Sequence, residues 1–162
     1  MQQSRRVIAV LMALLLSLLA TATLAAAHAE PALRWSLFDD TSGRLALDDV
    51  REAPFRPLAS ASFSRPPSPG ALWLHVSLPP LDAPRWLWLL APKAQEIDYF
   101  LFERGEPITH FTSGERHPQQ AEVIRAGQAY FVRLPYDGQA REVYLRLGSY
   151  HALRGWMQVL DE

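Results

Sequence analysis

Ser113-Gly114-Glu115-Arg116-His117 crowds a hydroxyl, a carboxylate and an imidazole into five residues of this 162-residue chain. Those are the groups of a hydrolytic triad, but triads are defined by geometry across a fold, and no Gly-x-Ser-x-Gly elbow occurs. The plainer reading is a polar loop between strands. The five histidines, His28, His75, His110, His117 and His151, form no pair at a ligand spacing such as His-x-x-x-His. Asp39-Asp40 and Asp48-Asp49 could offer hard oxygen ligands, yet they lack calcium-loop spacing and read as solvated strand ends. The chain has no cysteine, which excludes thiol catalysis and thiolate metal sites. The residues therefore point to a protein without catalytic machinery, metal or cofactor.

Recognition chemistry is better represented. Trp73 and His75, Phe131 and Arg133, Tyr144 and Arg146 all alternate with aliphatic residues, so a period of two turns them away from the core. An aromatic ring supplies a flat apolar platform, and a guanidinium supplies a rigid fork of donors for hydroxyls or carboxylates. Trp73 is expected to be the platform, with Arg133 and Arg146 as donors and Tyr144 beside them. A small polar ligand, a sugar or a small acid, would use those parts. The competing reading is that the rings pack beneath a loop or against another domain.

The elements that would position them are strands. Ala71 to Leu78 sets Leu72, Leu74, Val76 and Leu78 against Trp73, His75 and Ser77. Arg141 to Gly148 sets Val143, Leu145 and Leu147 against Glu142, Tyr144 and Arg146, and Ala129 to Pro135 alternates likewise. Trp86 to Leu90 and Ile97 to Phe102 are apolar on both faces, as strands covered on both sides would be. Arg34–Phe38, Leu45–Val50, Ile108–Phe111 and Gly155–Leu160 are weaker candidates. Arg104-Gly105-Glu106-Pro107 and Tyr136-Asp137-Gly138-Gln139 read as turns, and residues 59–69 as a surface loop. Thirteen prolines punctuate these short runs, and no segment carries a capped helical period. The expected fold is all-β, a sandwich or barrel.

Arg5 and Arg6 precede an apolar run from Val7 to Leu19, and Ala27-His28-Ala29 follows as a small-x-small motif. That order predicts a secretory signal peptide over residues 1–29 and one exported domain over 30–162, outside the cytoplasmic membrane. Without Arg5 and Arg6 the chain keeps 14 basic residues against 17 acidic ones. Scattered arginines and a slight negative charge give no footprint for nucleic acid.

The series as a whole is familiar. In order come Leu37-Phe38-Asp39-Asp40-Thr41-Ser42-Gly43-Arg44-Leu45-Ala46-Leu47-Asp48-Asp49-Val50 as an opening strand, turn and strand, Phe55-Arg56-Pro57, Gly70-Ala71-Leu72-Trp73-Leu74-His75-Val76-Ser77-Leu78, and Trp86-Leu87-Trp88-Leu89. Ile97-Asp98-Tyr99-Phe100-Leu101-Phe102, Thr112-Ser113-Gly114-Glu115, Arg125 and Val143-Tyr144-Leu145-Arg146-Leu147 complete it. Residues 33–160 thereby resemble the extracellular domain, type 2, of bacterial seven-transmembrane receptors with diverse intracellular signalling modules. His75 departs from the arginine that this family leads one to expect there. The resemblance implies a jelly-roll β-sandwich similar to carbohydrate-binding modules, displayed in the periplasm ahead of a seven-helix membrane segment and an output module. It adds Arg125 to the candidate ligand-binding residues Trp73, Arg133, Tyr144 and Arg146. The implied function is a sensory domain for a small-molecule ligand, a carbohydrate or small carboxylate. The alternative is a module that binds a receptor segment or partner protein instead.

Overall fold

The computed structural model describes residues 33–118 and 120–162, so the expected signal peptide and its cleavage site lie outside the described residues. Eleven strands and one short helix follow in the order β1 (Trp35–Asp40), α1 (Leu47–Arg51), β2 (Arg56–Pro57), β3 (Ser62–Arg65), β4 (Ala71–Leu78) and β5 (Arg85–Leu90). The rest are β6 (Glu96–Glu103), β7 (Glu106–Ser113), β8 (Val123–Ala126), β9 (Ala129–Leu134), β10 (Arg141–Gly148) and β11 (Leu153–Asp161). They form two antiparallel sheets. The first runs β2-β1-β4-β10-β6-β7 and the second β3-β11-β5-β9-β8. Neither closes into a barrel.

The period of two fixes which side chains meet between the sheets. Leu72, Leu74 and Val76 of β4 pair in register with Leu147, Leu145 and Val143 of β10, so one shift would turn all six to the other face. They pack in a single core with Leu87 and Leu89 of β5, Tyr130 and Val132 of β9, and Met157 of β11. Tyr99 stacks on Phe111 at 4.6 Å across the β6–β7 pair. The β6–β7 hairpin turns on Arg104 and Gly105, with φ of 52° and 85°, the positive pair that a tight two-residue turn requires. Pro107, which cannot donate to a ladder, is tolerated because β7 is an edge strand.

A second, smaller core lies on the other face of the first sheet. There Val50 of α1 packs with Ala71, Trp73, Phe102 and Tyr144, and Phe38, Leu45, Leu47, Phe55 and Phe100 complete the layer. The chain is held over that face by Asp40. Its carboxylate accepts from Ser42 N and Oγ and Gly43 N on one oxygen, and from Leu45 N on the other, at 2.6–3.1 Å. Gly70 must be glycine, since a Cβ there would meet the Asp40 carbonyl at 2.1 Å. The Asp49 carboxylate accepts from Ala46 N at 3.1 Å, and the acidic first turn of α1 suits the positive end of its dipole.

Three expectations need correction. Leu45–Val50 is not a strand: Leu47 and Val50, three apart, lie on one side of a helical turn that covers a sheet. Residues 59–69 are not wholly loop, because Ser62–Arg65 pairs with β11 and buries Phe63. β5 is not covered on both sides, since Trp86, Trp88 and Leu90 stay half-buried on the outer face of the second sheet. β6 does have apolar partners on both faces. Phe100 stacks between Trp73 at 5.9 Å and His110 at 4.4 Å.

Candidate functional site

The five sequence candidates do not converge on one face. Trp73, Tyr144 and Arg146 belong to the outer side of the first sheet, Arg133 to the outer side of the second, and Arg125 to its edge strand β8. Trp73 is 1% exposed, sealed under the α1 layer and stacked on Phe100, so it is no open platform. Tyr144 is buried beside it, stacked on His75 at 4.5 Å, and burial pushes its phenol above the ordinary range. Alternation correctly places these rings away from the main core. What covers them is a five-residue helix whose apolar spacing is too short to stand out.

Arg146 is engaged as a strut. Its guanidinium donates to Glu96 at 2.5 Å, Asp98 at 3.1 Å and the Gly43 carbonyl at 3.3 Å, tying the Asp40 turn to β6. Thr112 Oγ1 also donates to Asp98 at 2.6 Å, and His110 and His117 stand 3.8 Å from Asp98 and Glu96. A small polar cavity of about 140 Å³ touches this network through Glu96, Arg116, Arg146 and Tyr150. Ser113 is buried at the end of β7 while His117 turns to Glu96, so the Ser–Glu–His crowding does not assemble as a triad. Arg125 donates to the carbonyls of Gly127 and Gly114 and lies 5.7 Å from the Tyr130 ring, holding two loops to the sheet edge.

Arg133 lies elsewhere, at a cleft of about 420 Å³ reached by both sheets, with β7 and β8 as its edge strands. Its walls include Trp86, Tyr99, Phe111, Glu122, Arg133 and Pro135. The Arg133 side chain is 54% exposed and meets the Glu162 carboxylate at 3.3 Å. Tyr99 lies in that wall with its hydroxyl buried and without a hydrogen-bond partner, and burial drives its pKa far above the ordinary phenol value. Apolar walls with a few polar groups on pre-formed strands are the usual make-up of a small-molecule site. Sequence reasoning found Arg133 and missed the rest. Trp86 was read as core, and Tyr99 and Glu122 become neighbours only through the meeting of two sheet edges.

The described residues form a β-domain of two antiparallel sheets with a cleft where their edges meet. A family model, 7TMR-DISM extracellular 2, matches residues 32–161, and the chain belongs to that family, an extracellular sensory domain of seven-transmembrane receptors. Its place is accordingly on the outer side of the membrane. No curated protein matches the chain.

Proposed function

We propose that this domain is a non-enzymatic, periplasmic ligand-sensing module, exported with residues 1–29 as a cleaved signal peptide, and that it binds a small carbohydrate or carboxylate in the cleft between β7 and β8. The supporting observation is the meeting of Trp86, Thr109 and Arg133 in one cleft that spans both sheets. A ligand touching both sheets favours one arrangement of them, and the signal passed to a membrane segment cannot exceed its differential affinity for the two receptor states. The repeated crossing of the chain between sheets supports a jelly-roll relationship to carbohydrate-binding modules. Of the five sequence candidates, Arg133 is the one kept as a ligand contact.

A second reading has its own support. Trp156 is 43% exposed and shares the outer face of the second sheet with Leu90, Trp88 and Phe131. Such a face suits a partner protein. A thermal-shift screen of small metabolites separates the two. A ligand at a hundredfold its dissociation constant should stabilise the domain by about 2.7 kcal/mol. Arg133→Ala should weaken the hit by about ten- to a hundredfold. A screen without hits, with Trp156→Ala blocking assembly of the receptor, would transfer the function to the second face.

A further inference from the structure

We propose that the ligand is a zwitterion, a free α-amino acid with an apolar side chain; this rests on the cleft being the sensing site and narrows what it accepts. Two charges stand at the mouth of the cleft. Val123 pairs with Val132 in the antiparallel β8–β9 ladder; Glu122 immediately precedes Val123 and Arg133 immediately follows Val132. Both line the cleft, and both are exposed. They do not pair with each other: Arg133 is held by Glu162, while Glu122 makes no ion pair among the described residues. A free carboxylate and a loosely occupied guanidinium thus flank walls made largely of Trp86, Phe111, Leu101, Val132 and Pro135.

Each simpler ligand class leaves part of this unsatisfied. A neutral sugar would bury many hydroxyls against aromatic and aliphatic walls where few polar partners, such as Thr109, are offered, and unpaired buried hydroxyls oppose binding. A plain carboxylate is drawn to Arg133 but repelled by Glu122, and a plain amine has the opposite conflict. An amino acid satisfies both. Its carboxylate takes the bidentate fork of Arg133, and its ammonium takes Glu122. Its apolar side chain fills the cleft against Trp86 and Phe111. The Glu162 carboxylate already on Arg133 has the chemistry of the ligand's acid group, and an exposed pair of that kind is easily displaced.

The test is calorimetry on the full chain with L-phenylalanine, hydrocinnamate, which lacks the amine, and phenethylamine, which lacks the acid. L-Phenylalanine should bind, and each analogue should bind about ten- to a hundredfold more weakly. Glu122→Gln should cost L-phenylalanine its advantage over hydrocinnamate, and Arg133→Gln its advantage over phenethylamine. Arg154→Ala, an exposed change on β11, should leave all three affinities in place. Both charged residues are exposed, and unchanged melting curves will confirm that the variants fold. An analogue binding as tightly as L-phenylalanine, or affinities indifferent to both variants, would overturn the zwitterion. Glucose binding that is sensitive to Arg133→Gln would overturn it while leaving the cleft as a sensing site. Failure of every probe, together with a metabolite screen without hits, would overturn both.

Discussion

At the scale of single residues, two side chains show how position in an alternating strand differs from role. Arg146 occupies a non-core position, as its neighbours Leu145 and Leu147 require, yet its donors are spent on Glu96, Asp98 and the Gly43 carbonyl. Arg146→Ala would strand two carboxylates against each other and release the Asp40 turn. We expect a stability loss of about 1–3 kcal/mol in urea denaturation; a loss near zero would return Arg146 to the pool of free donors. His75 is the second case. It is half-buried against Tyr144 and Phe55, and that burial lowers its pKa, with the Glu142 carboxylate opposing in part. A folded-state pKa below the unfolded value of about 6.5 means that the unfolded chain binds the proton first. The stability due to neutral His75 is therefore full above that value and falls as pH drops below it. Melting curves at about pH 7.5 and 5.5 should show a loss for the native chain that His75→Gln reduces. An identical pH dependence in the variant would assign the acid sensitivity to other groups.

At the scale of elements, legibility followed the strength of the period. β4 and β10 were readable to the residue because eight positions alternate without interruption, and the inward set is the one expected. β3 and β8 were not, having four residues each and serine, arginine or alanine where an apolar residue would mark the face. α1 hid for the same reason, since Leu45-Ala46-Leu47 mimics alternation and only Val50 betrays the turn. That miss explains the error at Trp73. An outer sheet face is solvent-exposed only if nothing covers it, and the cover comes from a segment some 25 residues upstream in sequence. Leu145→Ala, in the main core, and Trp73→Ala, in the smaller one, should cost about 2–5 and about 3–5 kcal/mol. A Trp73→Ala loss under about 0.5 kcal/mol would mean that α1 does not bury that face in solution.

At the scale of the whole molecule, two sheets share one core and present three dissimilar outer regions. The first sheet is roofed by α1, the second shows half-buried tryptophans, and the edges at β7 and β8 leave a cleft. The family places the domain outside the membrane as part of a receptor; on the proposed reading, a ligand in a cleft reaching both sheets would favour one arrangement of them. The resemblance was legible because ordered strand motifs survive in sequence; the cleft was not, because its residues come from five strands and three loop positions. The most direct measurement is an amide chemical-shift map of the domain before and after saturation with a ligand from the screen. The account predicts the largest changes at Thr109–Phe111, Glu122–Ile124 and Val132–Pro135. Changes concentrated instead around Arg146 and Tyr150, or across Trp88 and Trp156, would contradict it.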